Sequence, residues 1–183
     1  MLKYAILGFL NYSPMTGYEI KQRIDRSTTH FWHAELSQIY VTLKALEESG
    51  EVVSEVKKQS ARPDKRVFQI TAMGQEDFQQ WLTSPQAELS PKKELLVLKM
   101  FFAARMDKDQ ALAQLQLALD LHQKQLAYYR NEVVESIRAS AVEFPMLKED
   151  ARMWEATRRF GELYEELYVR WIEEMIESYR GEK

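Results

Sequence analysis

Ten consecutive residues, KKQSARPDKR at 57–66, carry five cations, Lys57, Lys58, Arg62, Lys65 and Arg66, against one acid, Asp64. Cations at this density hold a polyanion by releasing its condensed counterions, and each phosphate neutralised adds roughly 0.9 to the log-log salt slope of binding. Replacing Lys65 and Arg66 with alanine is therefore expected to weaken duplex binding and flatten its salt dependence. A second group lies upstream, in LSQIYVTLKALEESGEV, where Ser37, Gln38, Tyr40, Thr42 and Lys44 alternate with the apolar Ile39, Leu43 and Leu46. If the apolar set faces a core, the polar set lies on other faces. Gln38 can pair with an adenine edge, Thr42 stands at the border of the base-reading set, and Tyr40 and Lys44 more naturally reach phosphate. Tyr18 and Lys21 stand where a neighbouring helix starts and would contact the backbone. Glu47 and Glu48 belong to the end that stays away from phosphate. The plain alternatives are a solubilising loop and a solvated helix face, with Tyr40 packed between helices.

Other chemistry is missing. The sequence has no cysteine, which removes disulfides, thiolate zinc sites and a cysteine nucleophile. His30, His33 and His122 are its only histidines, and the His30/His33 pair sits in a connector without a ligand set around it. Gly-rich phosphate loops, nucleophile elbows and paired catalytic carboxylates do not occur. No enzyme activity, metal or cofactor is expected.

The elements that must position these residues follow from periodicity. Residues 2–11 are almost continuously apolar with helix-compatible spacing, too short and too interrupted for a membrane span and without the flanks of a signal peptide. Thr16 with Glu19 makes a capping box that opens a helix over 17–28. Phe31 and Trp32 are expected to pack down in a connector, and a third helix runs over 37–49 to Gly50. The period then changes to alternation at Val52–Lys58 and RVFQI, a β-hairpin with the cations at its tip. Thr71 caps a further helix that ends before Ser84-Pro85. Three helices, a hairpin and a helix make a winged helix-turn-helix module over 1–84.

The polar TSPQAELSPKK stretch is a domain boundary, and Ser90-Pro91 is expected to start a helix over 91–105. A long helix should follow from Asp107 to about Ala141, with Leu112, Leu115, Leu119, His122, Leu126, Tyr129 and Val133 in the 3-4 spacing of a helix seam. Pro145 breaks it. The last helix, 148–180, carries two apolar stripes, one of Met153, Phe160, Leu163, Leu167 and Trp171, the other of Tyr164, Tyr168, Ile172, Met175 and Tyr179. Two stripes need two partners, and a second copy of the chain is the economical one. The fold class is mainly α with a small β-hairpin: the winged module, then a C-terminal α-helical dimerisation domain over 91–183.

Three stretches, ILGFLNYSPMTGYEIKQRI, FWHAELSQIYVTLKALEESGEV and RPDKRVFQITAMGQEDFQQWL, resemble the PadR family of bacterial transcriptional regulators over residues 4–82. Beyond residue 90 the pattern resembles the virulence-activator type of C-terminal domain. Val41 stands where the family usually has proline, Ser37-Gln38 where it has a small residue or glycine, and Thr16 where it often has histidine, so an operator sequence does not carry over. The resemblance implies a cytoplasmic homodimer that binds a pseudo-palindromic stretch of double-stranded DNA, with repression as the family default. It also implies, for some members, a small aromatic effector such as a phenolic acid or drug. Tyr128, Tyr129, Trp154, Phe160, Tyr164, Tyr168 and Trp171 are the candidates to line such a site; dimer-core packing is the plainer reading of the same residues. A winged-helix protein–protein module that never touches DNA is the competing function.

Overall fold

The computed structural model describes residues 1–28, 31–58, 64–88, 93–143 and 145–181. The chain divides into two compact units, Met1–Leu89 and Ser90–Lys183.

In the first unit, helices α1 (Leu2–Tyr12), α2 (Gly17–Ser27) and α3 (Leu36–Glu48) lead into strands β1 (Val52–Lys57) and β2 (Lys65–Ile70), and α4 (Ala72–Thr83) follows. Their shared core is Ile6, Leu7, Leu10, Met15, Ile20, Ile24, Ile39, Leu43, Leu46, Val52, Phe68 and Ile70, with Ala34. Each fully buried aliphatic side chain contributes about 1.5–3 kcal/mol. The inner positions of α3 therefore decide how that helix is rotated. Thr16 caps α2 as its spacing predicts: its hydroxyl accepts from Glu19 N–H at 3.2 Å, and Glu19 accepts from Thr16 N–H at 2.8 Å. A second capping box opens α3, where Gln38 Oε1 accepts from Glu35 N–H at 3.0 Å. Gly50, with φ of 80°, turns the chain from α3 into β1; that left-handed conformation strains any residue with a Cβ. Phe31 does not pack down: it is 47% exposed, whereas Trp32 is half-buried.

The hairpin is antiparallel, from Val52 opposite Ile70 to Lys57 opposite Lys65. Only its base joins the core, through Val52, Phe68 and Ile70. On the other side of β2, Met15 and Phe68 exchange backbone hydrogen bonds at 3.0 and 2.8 Å, which fastens the α1–α2 connector to the sheet.

The second unit contains α5 (Leu95–Phe101), α6 (Lys108–Tyr128), α7 (Val134–Glu143) and α8 (Lys148–Gly181). The expected start at Ser90-Pro91 lies outside the described residues; the described helix begins at Leu95. Glu94, just before it, accepts from the hydroxyls of Tyr164 and Tyr168 at 2.7 and 2.6 Å. Leu115, Leu119, Tyr168, Ile172 and Ile176 form the α6–α8 seam. Trp171 packs against that seam instead of continuing the Met153–Leu167 stripe.

The long helix expected over 107–141 is interrupted by one π-helical turn, Tyr129–Val133. Arg158, 7% exposed, donates to the Tyr129 carbonyl at 3.2 Å and to Glu162 at 2.8 Å, and also grips Glu155. Burial opposes ionisation of Glu162, but N–H donors from Arg130, Arg158 and Arg159 win and hold its carboxyl at about 2. Such a depressed group stabilises the fold fully above the usual carboxylate value of 4.5 and loses that contribution as pH falls towards 2. Glu162→Gln should accordingly be less stable than wild type at neutral pH, with the gap in urea midpoint closing on acidification through this window.

Candidate nucleic-acid interface

Burial of Ile39, Leu43 and Leu46 turns Ser37, Val41, Lys44 and Glu48 to the opposite side of α3, one helical turn apart along the outer face. Val41 is 70% exposed, an apolar side chain in the middle of this polar line. Lys44, 77% exposed, lies 3.7 Å from Glu48. Gln38 and Thr42 flank the face. The Gln38 oxygen is taken by the helix cap, so bidentate pairing with adenine requires that bond to open. Thr42 donates to the Gln38 carbonyl at 2.8 Å and keeps its acceptor capacity.

Tyr40 has a structural neighbour as well as an exposed edge. A Cβ on Gly17 would come within 2.7 Å of its ring, so the glycine lets α2 start directly against α3. Tyr40 remains 47% exposed, and Tyr18, on the first turn of α2, is 57% exposed. Lys21 is engaged within its own helix, 2.5 and 2.6 Å from the Asp25 carboxylate oxygens.

Lys57 and Lys65 face each other across the hairpin as a cross-strand pair, and both are exposed, as is Lys58. Like charges directly opposite destabilise a hairpin. An anion between them reverses that cost. Arg62 lies outside the described residues. Arg66, one ladder step inward and opposite Val56, is occupied in the protein itself: Nε donates to Ser54 at 2.8 Å and Nη2 to Glu47 at 2.6 Å. Sequence reasoning set Glu47 aside as remote from phosphate. Its link to the wing joins residues 19 apart, and no local spacing rule reveals it.

The aromatic candidates of the second unit are distributed over several places. Tyr164, Tyr168 and Trp171 belong to the α6–α8 seam, where His122 stacks on Tyr168 at 4.3 Å and bonds Glu165 at 2.5 Å. Burial and donation to Glu94 push the Tyr164 hydroxyl up to about 12 and raise Tyr168 too. Tyr129 is buried at the π turn, Tyr128 is exposed beside it, Trp154 is half-buried early in α8, and Phe160 is 56% exposed on the outward stripe. Of the histidine pair, His33 bonds Glu35 at 2.9 Å and His30 lies outside the described residues. Among the described residues no cluster of histidine and acidic side chains could hold a metal ion, and no helix is long and apolar enough to cross a membrane.

The family model of PadR-like transcriptional regulators matches residues 6–80, and the model of the virulence activator alpha C-terminal region matches residues 92–180. The chain belongs to the PadR-like family of transcriptional regulators. It is 27% identical over 176 residues to the negative transcriptional regulator PadR of Bacillus subtilis, with 96% of each chain covered. A probable transcriptional regulator of Mycobacterium tuberculosis is 37% identical over 90 residues, 49% of this chain and 48% of that one. The solved structure of Bacillus subtilis PadR in complex with operator DNA superposes with a TM-score of 0.82 at 25% identity, covering 97% of this chain and 98% of that one. This PadR-like chain thus has the family's mainly helical fold with a two-stranded wing.

Removing the cation pair tests the wing directly. Lys57→Ala with Lys65→Ala should lower the log-log salt slope of duplex binding by about 0.9 for each phosphate that is no longer neutralised, without loss of thermal stability. Anisotropy titrations over a salt series measure the slope.

Proposed function

We propose that this PadR-like regulator binds double-stranded DNA as a two-fold homodimer and represses transcription from a pseudo-palindromic operator. The observation that carries the reading is the geometry of the wing: two lysines held opposite each other at the end of a hairpin, on the same unit as an outward helix face that bears Ser37, Val41 and Lys44. That arrangement fits α3 in a major groove, with Gln38, Tyr40 and Thr42 at its flanks and the wing on phosphate. The Bacillus subtilis relative, solved with operator DNA, supports the same use of the fold.

The dimer rests on α8. Met153, Phe160, Leu163 and Leu167 are 51, 56, 49 and 62% exposed, and with Ala156 they repeat at the 3-4 spacing of a helix seam. The opposite side of α8 is already buried on α6. A second copy of the chain is the occupant this stripe fits, since a two-fold axis presents each copy's stripe to the other's. Half-sites one helical turn apart, or a multiple, follow from that symmetry. An aromatic effector would find its most polar-apolar surroundings at Glu94, His122, Tyr164 and Tyr168, where hydroxyls, a carboxylate and stacked rings meet.

A gel-shift assay on the region upstream of the protein's own coding sequence tests the function, with a retarded, competitor-resistant band expected. Phe160→Glu with Leu167→Glu should yield a folded monomer by sedimentation velocity and weaken operator binding about 100-fold or more, because avidity disappears. A dimeric double variant would refute the assignment of this stripe.

A further inference from the structure

The outer half of the wing has no core to hold it. Val52, Phe68 and Ile70 bury its base, while Glu55, Val56, Lys57, Lys65 and Arg66 are all exposed. An isolated two-stranded hairpin is marginally stable in water. Between the buried base and the cationic end stands one closed polar triad spanning three elements. Arg66 on β2 donates to Ser54 on β1 and to Glu47 on α3; Ser54 in turn donates to the other Glu47 oxygen at 2.5 Å. The Arg66 guanidinium also lies 5.3 Å from the Phe68 ring centroid, which ties the triad to the core edge.

We propose that Glu47 is a positioning residue for DNA recognition, holding the Arg66–Ser54 pair as a strut that fixes the wing relative to the reading helix α3. This inference rests on the DNA-binding reading above. Its distinguishing feature is the sign of the charge. A carboxylate on a surface that meets phosphate repels the ligand, so simple electrostatics makes its removal neutral or favourable for affinity. The strut makes its removal unfavourable, because the wing must then be ordered at the moment of binding. The hydrogen bonds from Ser54 and Arg66 hold the Glu47 carboxyl below its usual value, since they favour its ionised form. Arg66 is thereby separated from Lys57 and Lys65: those two supply charge to the duplex, and Arg66 sets the angle. A lysine at 66 retains the charge but lacks the planar fork that reaches two acceptors at once.

The test uses the full-length protein and two fluorescent probes: a duplex that the wild type enriches from a random-sequence pool, and sheared calf-thymus DNA as non-specific ligand. Glu47→Gln and Arg66→Lys should each weaken binding to the enriched duplex by about tenfold, leaving calf-thymus binding equal or tighter and the salt slope unchanged. Glu47→Ala with Arg66→Ala should be no weaker than Arg66→Ala alone, since the two act through one ion pair. The inference is overturned if Glu47→Gln binds the enriched duplex as tightly as wild type. It is equally overturned if Arg66→Ala weakens both probes in parallel with a slope reduced by about 0.9, the signature of a direct phosphate contact at Arg66. Failure of the wild type to enrich any duplex overturns the DNA-binding reading itself, whereas failure of the variants alone leaves that reading standing.

Discussion

The burial of one face of α3 is the constraint on which the rest of the first unit depends. Ile39 and Leu43 are fully buried and Leu46 is 2% exposed, so rotating the helix would return several kcal/mol of apolar surface to water. That rotation decides which residues face out, and it also sets where the chain must go at either end. At the start, Gly17 lets α2 sit against the Tyr40 ring; at the finish, Gly50 adopts the positive φ that sends β1 back along the unit. The wing's base is then covered by the same core. Everything beyond that base is held by polar contacts.

Charge is arranged by place rather than by total. The whole chain is acidic, with a formal net charge of -3, yet the wing presents facing lysines. Several other cations on or near α3 already have an acidic neighbour within the chain. Lys21 is bound to Asp25, Lys44 has Glu48 within 3.7 Å, and Arg66 is held by Glu47. Exposed pairs of this kind contribute little stability. Their consequence is for geometry and for the number of cations that meet a polyanion unencumbered, a number smaller than a count of the sequence suggests.

The second unit solves a different problem. One side of α8 closes on α6 through Tyr168, Ile172 and Ile176, and the other stays apolar and uncovered within the protomer. Between the two ends of the long α6–α7 run, a π turn at Tyr129 shifts the register, and Arg158 satisfies the displaced carbonyl there. A buried arginine is tolerated because four of its five N–H groups find acceptors, two on Glu155, one on Glu162 and one on the Tyr129 carbonyl.

Local signals were sufficient for much of this. The cap at Thr16, the turn at Gly50, the change of period at Val52 and the seam spacing from Leu112 to Val133 are short-range patterns, and helices and hairpins are built from short-range bonds. The family resemblance was carried by the same residues. What periodicity misplaced were features governed by partners distant in sequence. The start of α5 coincides with the grip of Tyr164 and Tyr168 on Glu94, 70 and 74 residues away. The π turn cannot be read from an uninterrupted 3-4 pattern, because inserting one residue into a helix leaves apolar spacing on both sides intact. Trp171 joined the inner seam, where its ring meets Tyr168 edge-on with centroids 6.0 Å apart. Glu47 passed for a solvent residue at a helix end until the hairpin folded back and placed Arg66 and Ser54 beside it. The sequence by itself determined which segments are helices, where the wing lies and which face of α3 is apolar, since each follows from contacts within a few residues. Only the tertiary structure decided which charged groups remain available and which are spent on one another, because that depends on distances between elements that no local spacing encodes.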